Sequence, residues 1–378
     1  MKLLVVSAAP LIPSNNGWMA YGPYVKEMAI WAKHTDTIQF CCPVWETDRG
    51  LLVTQIPFET VSPVVLKDFN VTSIKAVLHT IIAAVLNLWL IVRAMRKADH
   101  IHLRCPGNIG LLGCVAQIFF PNTPKTAKYA GNWDPKAKQP LSYRIQKWIL
   151  SNTFLTRNMK VLVYGEWEGS SKNIKPFFTA SYTEGDKEDV SLRKIILQDR
   201  AVIRFLFVGT LSEGKRPLYA IKLVESLHAS GYNVHLDLYG DGQQRKLLET
   251  YIAANNLTDF IVLKGNQLVK TVKKAYQESH FLLLPSKSEG WPKVVAEAMF
   301  WGCVPLSTEI SCVPYMLGHG NRGGILTLNL EKDSKAVITL LSNEKSYQKT
   351  SMEASDWSRK YTIDYFESEI AKLVNSKR

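Results

Sequence analysis

Short apolar runs recur along the chain, each followed by a polar, glycine-bearing turn and then by apolar residues spaced three and four apart. Lys2 to Ala8 reads as a strand, Asn15, Asn16 and Gly17 as its loop, and Tyr24 to Ala32 as a helix. A long apolar stretch over 76–92 reads as a further helix. Ala98 to Leu103 alternates as a strand edge before the loop Arg104-Cys105-Pro106-Gly107-Asn108-Ile109-Gly110. Strands are expected at Thr126–Tyr129 and Val161–Tyr164, with helical spacing from Tyr143 to Leu155 between them; Trp133-Asp134-Pro135 marks a loop. The order returns after residue 200. Strands Ile203–Gly209, Val234–Tyr239, Phe260–Gly265 and Phe281–Leu284 are interleaved with helical stretches Leu218–His228 and Gln243–Ala254, and Pro292 opens another helix. Alternation of this kind predicts an α/β protein with parallel sheets. No internal repeat or low-complexity tract interrupts it.

Tyr182 to Val190 breaks the apolar pattern with Gly185 and a dense charge run, which places an interdomain connection near 183–200. A length of 378 residues also suggests two cores. With 46% hydrophobic and 21% charged residues the composition is that of a folded globular chain. The net charge of +13 would attract nucleic acid, an anionic membrane or phosphorylated small molecules. Lysine and arginine are spread over the whole chain without a nucleic-acid-binding module, so no nucleic-acid partner is expected. The six cysteines lack zinc-type spacing and scaffold density, and are expected to be reduced in a cytoplasmic protein. The 76–92 segment falls short of a span and carries His79, Thr80 and Asn87, leaving a buried helix or a contact at the inner face of the membrane; Lys75, Arg93, Arg96 and Lys97 would meet anionic headgroups.

The most informative run is Ser286 to Thr308, where Glu289 and Glu297 stand eight residues apart across a loop-to-helix junction. Strand, polar loop and helix in that order present ligand-binding groups beyond the carboxyl end of a strand. Free N–H groups at the helix start favour phosphate, whereas Glu289 favours a neutral hydroxyl-bearing moiety. A sugar joined to a diphosphate carries both.

This run, with its ending Trp301-Gly302-Cys303-Val304-Pro305, resembles the E-x7-E motif of retaining glycosyltransferases of family 4. The resemblance implies the GT-B fold, in which two Rossmann-like domains face each other across a cleft. It implies an acceptor-binding domain over 1–190, with a return of 358–378, and a nucleotide-sugar-binding domain over 200–357. Glu289, with Gly290, Trp291 and Pro292 beside it, would approach the transferred sugar and Glu297 the nucleotide ribose. Gly209 and Lys215 match the family's Gly-Arg-Leu loop and following basic residue; Thr210 stands where arginine is common, and Arg216 would compensate for it. Lys215 would then meet the donor diphosphate. Gly240, in Leu238-Tyr239-Gly240-Asp241-Gly242, matches a further family pattern, and Gly17 would bring backbone close to a phosphate, although a turn alone accounts for it equally. The family's histidine position is occupied by Arg104, with His102 two residues earlier. Arg104, a permanent cation, would anchor an anionic acceptor, with Asn108 nearby, or stabilise phosphate charge, and His102 would titrate near neutrality as a candidate catalytic group. The implied partners are a nucleotide diphosphate sugar as donor and a carbohydrate or lipid-linked glycan as acceptor, with no cofactor and no metal. A phosphorylase-like enzyme and a noncatalytic nucleotide-sugar-binding protein remain the alternatives.

Overall fold

The computed structural model describes residues 1–68, 74–190, 193–195 and 201–375, with backbone alone for 74–80. The expected 183–200 connection, Lys75, His79 and Thr80, and the end of the expected 358–378 return therefore lie in part outside the described residues. Two compact units emerge, Met1–Phe177 with Phe366–Arg378, and Phe178–Tyr365.

The first unit contains strands β1 (Lys2–Val6), β2 (Ile12–Ser14) and β3 (Gly17–Tyr21), helix α1 (Gly22–Ala32), then β4 (Thr37–Cys42), β5 (Val53–Gln55) and β6 (Thr60–Val65). It continues through α2 (Ile74–Met95), β7 (His100–Cys105), α3 (Asn108–Ala116), β8 (Lys125–Tyr129), α4 (Leu141–Ser151), β9 (Met159–Tyr164) and β10 (Ile174–Phe177). Seven of these strands form a parallel sheet in the order β10-β9-β8-β7-β1-β4-β6. Residues Leu3–Val6 of β1 are all fully buried, as a strand covered on both faces requires. The segment expected to be a plain loop after β1 is instead partly a hairpin: β2 and β3 pair antiparallel with Ser14 opposite Gly17, and β5 adds to β3. Asn15-Asn16 forms its tip, a turn composition that the Rossmann-like reading of this stretch passed over.

The second unit runs β11 (Ile203–Val208), α5 (Pro217–Ala229), β12 (Val234–Tyr239), α6 (Arg245–Ala254), β13 (Ile261–Gly265), α7 (Val269–Glu278) and β14 (Phe281–Leu284). It closes with α8 (Lys293–Phe300), β15 (Val304–Thr308), α9 (Val313–Met316), β16 (Gly324–Leu326), α10 (Leu330–Leu341) and α11 (Glu344–Ser358); α12 (Ile363–Asn375) carries the chain back into the first unit. Its six-stranded sheet is parallel throughout, in the order β13-β12-β11-β14-β15-β16. Two Rossmann-like parallel-sheet units are the architecture expected of a GT-B chain.

Strand order locates the ligand-binding end of each sheet. In the second unit the chain winds from β11 outward through β12 and β13, then returns to the other side of β11 as β14, so winding reverses between β11 and β14. In the first unit the reversal lies between β1 and β7. Loops leaving the carboxyl ends of strands that flank such a reversal diverge and leave a crevice.

Candidate functional site

In the second unit those loops are 209–216, after β11, and 285–292, after β14. They are tied together at several points. Lys287 N–H donates to the Gly214 carbonyl at 2.7 Å, and Arg216 Nη1 donates to the Pro285 carbonyl at 3.2 Å. Two ion pairs cross between them, Lys215 with Glu289 and Lys287 with Glu213. The first is the more sheltered, the Glu289 side chain being only 11% exposed. Lys215 and Glu289, read separately from the sequence, thus meet directly at the reversal point.

Backbone geometry supports this placement. A Cβ added at Gly240 would lie 2.0 Å from the Gly209 carbonyl oxygen, and Gly240 has φ of +134°. Only glycine allows the turn after β12 to press on the turn after β11. Arg216 adopts a left-handed conformation, φ 50° and ψ 50°, immediately before Pro217 starts α5. Thr210 is exposed at the turn. The carbonyl of Gly290 accepts from Ser311 Oγ at 3.0 Å and Cys312 Sγ at 3.1 Å, which orients the Glu289 loop from behind. Trp291 is buried against Trp357 and Tyr361, and Pro292 precedes α8 as expected. Glu297 lies on α8, where Ser181 Oγ donates to its Oε1 at 2.6 Å and Tyr276 OH to its Oε2 at 3.0 Å. The two glutamates of the motif therefore have different partners, and only Glu289 shares one with the cationic loop.

In the first unit, His100, His102 and Arg104 alternate onto one face of β7, with Thr126 and Lys128 beside them on β8. Helix α1 covers this polar row with Tyr24, Glu27 and Trp31, three, four and seven residues apart. Arg104 and Lys128 stand directly opposite each other in register, an unfavourable pairing of like charges unless an anion lies between. Glu27 supplies it, pairing with Arg104 through Oε1 and with Lys128 Nζ through Oε2 at 2.9 Å. Burial alone would raise the Glu27 carboxyl, but the two cations hold it down at about 2. The sequence reading did not single out Glu27; its signal was a lone carboxylate within the buried stripe of α1.

Two expectations change here. His102 is 0% exposed, its ring tilted against Trp31 with centroids 4.3 Å apart, and burial first, then the Arg104 charge, pushes its pKa well down. A ring so enclosed has no surface to offer a substrate. Arg104, expected to anchor an acceptor, already has its charge matched by Glu27. Asn108 begins α3, and Gly17 closes the β2–β3 hairpin with φ of +113°, so turn geometry accounts for that glycine.

Thr126 Oγ1 lies 3.0 Å from His100 Nε2 and 2.8 Å from His102 Nδ1. One hydroxyl can donate to one ring and accept from the other, which suits two neutral imidazoles. Burial holds His100 at about 4. The unfolded chain takes up protons near pH 6.5 that the folded chain refuses. Stability is therefore complete above pH 6.5 and falls as the pH drops toward 4, by up to ~1.4 kcal/mol per pH unit for each histidine. Urea unfolding at pH 7 and pH 5 measures this; equal midpoints would contradict it.

Among the described residues no group of three or more His, Cys, Asp or Glu side chains is placed to hold a metal ion. The six cysteines are free and buried.

With this geometry in place, comparison with known proteins gives a consistent class. Residues 191–357 match the family model of glycosyl transferases group 1. The amylovoran biosynthesis glycosyltransferase AmsK of Erwinia amylovora is 29% identical over 164 residues, 42% of this chain and 39% of that protein. The GalNAc-alpha-(1->4)-GalNAc-alpha-(1->3)-diNAcBac-PP-undecaprenol alpha-1,4-N-acetyl-D-galactosaminyltransferase of Campylobacter jejuni is 26% identical over 173 residues, 45% of this chain and 47% of that protein. These matches span less than half the length of either relative. Over the whole chain, the crystal structure of Anabaena Alr3699/HepE in complex with UDP superposes with a TM-score of 0.67 at 14% identity, covering 100% of this chain and 99% of that one. That likeness establishes the fold.

Proposed function

We propose that this chain is a retaining glycosyltransferase of the family 4 type. In this reading it moves a hexose or related sugar from a nucleotide diphosphate donor to a carbohydrate or lipid-linked glycan, in cell-surface polysaccharide or glycoconjugate synthesis. The observation that carries the proposal is the joining of Lys215 and Glu289 at the β11/β14 reversal, a cation and a carboxylate brought together where the winding of the sheet changes direction. The names of the AmsK and Campylobacter relatives, one for amylovoran biosynthesis and one for an undecaprenol-linked saccharide, support a glycan acceptor.

Lys215, with Arg216 beside it, offsets the negative charge that grows on the departing diphosphate. Glu289 accepts hydrogen bonds from hydroxyls of the transferred sugar, and Glu297, on exchanging its Ser181 bond, from the ribose. The turns at Gly209, Thr210 and Gly240 offer backbone close to the nucleotide, and Gly290, Trp291 and Pro292 shape the sugar end. The bond from C1 to the diphosphate oxygen breaks with its electron pair leaving on phosphate. The acceptor oxygen joins C1 on the same face and its proton passes to the departing phosphate. On the acceptor side this reading keeps Asn108, at the start of α3, since Glu27 already holds Arg104.

Among the described residues no helix is long and apolar enough to cross a membrane. On α2, however, Ile81, Ile82, Val85 and Trp89 are exposed, and the Arg93 guanidinium lies 5.4 Å from the Trp89 ring centre. Apolar side chains bordered by arginine suit the surface of an anionic bilayer. On this ground we propose that a cytoplasmic protein makes a peripheral contact with the inner face of the membrane through α2.

The test is incubation with UDP-, GDP- and ADP-sugars and isolated membrane glycans. Donor-dependent incorporation with the anomeric configuration kept, read by NMR, is the expected result. An inverted product would overturn retention, dependence on orthophosphate would point to phosphorolysis, and saturable donor binding without turnover would make the chain a binding protein.

A further inference from the structure

A hollow of about 440 Å³ lies beyond the carboxyl ends of β8 and β9 in the first unit, within the ~300–1,000 Å³ range of small-molecule sites. Three tryptophans from separate segments wall it: Trp133 after β8, Trp148 on α4 and Trp167 after β9. Two are fixed in place. Trp133 is buried edge-on to Tyr129, with ring centres 4.8 Å apart, and its carbonyl accepts from Lys147 Nζ at 2.7 Å. Trp167 Nε1 donates to the Tyr164 carbonyl at 2.8 Å. Trp148, by contrast, is 63% exposed and makes no hydrogen bond or ring contact among the described residues.

Polar groups of both signs complete the wall. Arg144 and Glu168 line the hollow, and neither forms an ion pair among the described residues. The Lys147 ammonium is committed to the carbonyls of Trp133 and Asp134, at 2.7 and 3.1 Å. Burial lowers its pKa, and these two carbonyls already occupy two of its three N–H donors.

We propose that this hollow binds a sugar residue of an oligosaccharide, so that it grips the acceptor glycan away from the reacting end. The inference rests on the transferase reading and names a subsite for it. A pyranose has one face rich in C–H groups and a rim of hydroxyls. The face stacks on an exposed aromatic ring such as Trp148, while the rim needs both donors and acceptors, which Arg144 and Glu168 supply. A purely anionic ligand would meet Glu168 unfavourably, and a lipid chain would leave both charges desolvated. A neutral hexose or N-acetylhexosamine fits the charge pattern best.

The experiment uses the full chain on an array of neutral and acidic oligosaccharides, followed by tryptophan fluorescence titration with the best binder. Saturable quenching is expected, weakened at least tenfold in Trp148→Ala, whose exposed side chain can be removed without opening the core, and also in Glu168→Gln. Binding of UDP, GDP or ADP should be unchanged in both. Absence of any array binder, or titrations equal to the parent in both variants, would overturn the proposal. So would a Trp148→Ala variant that loses sedimentation with phosphatidylglycerol vesicles while keeping glycan binding, since the ring would then serve the membrane. If no donor is turned over but Trp148-dependent glycan binding persists, the transferase reading fails and the subsite stands. If transfer proceeds with an unaltered acceptor KM in both variants, the subsite fails and the transferase reading stands.

Discussion

Lys215→Ala is expected to lower turnover by about two to three orders of magnitude with whichever nucleotide sugar the protein uses, the range seen when one preorganised stabiliser of developing charge is removed. The ammonium is already placed at the reversal of the second sheet, held by Glu289 before any ligand arrives. A diphosphate entering the crevice would compete with that carboxylate and free it to face the sugar, so one exchange readies both groups. Calorimetric titration should show nucleotide diphosphate binding weakened in the same variant, while circular dichroism confirms that the fold is kept. Lys215→Arg should recover part of the binding but less of the rate, because a planar guanidinium cannot reproduce the position of a point charge. Alanine-variant rates within threefold of the parent, across several donors, would remove Lys215 from the chemistry.

The largest effect on stability is expected from Glu27→Ala. Its carboxylate is the shared acceptor for Arg104 and Lys128, and the Lys128 side chain is 1% exposed. Deleting the anion leaves two opposed cations beneath α1, one with almost no access to water. Loss of one partner from a buried charge group costs about 3–5 kcal/mol. Chemical denaturation at pH 7 should show a loss of that order, with Glu27→Gln intermediate. The parent protein should carry the same signature in its acid limb. Because the Glu27 carboxyl is depressed to about 2, its contribution is complete above the ordinary carboxyl range near 4.5 and fades as the pH falls through 2. An alanine variant as stable as the parent would show that other groups neutralise the cations.

How much could be read in advance follows from how local each signal is. Phe281–Leu284 is both the expected apolar run and β14, because a strand covered on both faces needs no periodicity, only length and a proline stop. Two parallel sheets were legible from the alternation of such runs with helical spacing. Short or edge elements were not. β10 contains Pro176, which suits an edge strand and weakens any pattern, and the β2–β3 hairpin holds only a few residues on each side. Polar groups on buried elements posed the harder problem. His102 and Arg104 stood out as unusual in a strand, but their surroundings depend on α1, some seventy-five residues earlier, so Glu27, Trp31 and Thr126 could not be joined to them. Trp133 read only as part of a loop, and nothing in a single sequence brings it near Trp148 and Trp167.

The contact at Gly240 limits how the proposed donor side could be re-engineered. With 2.0 Å between a hypothetical methyl group and the Gly209 oxygen, neighbouring turns behave as one solid piece. Any side chain introduced there would push against the base of the segment that bears Lys215 and drag the ammonium out of line. If the loops bind a nucleotide sugar as proposed, altered donor preference is expected from residues around their rim, since a change at this rigid seam would damage recognition and rate together.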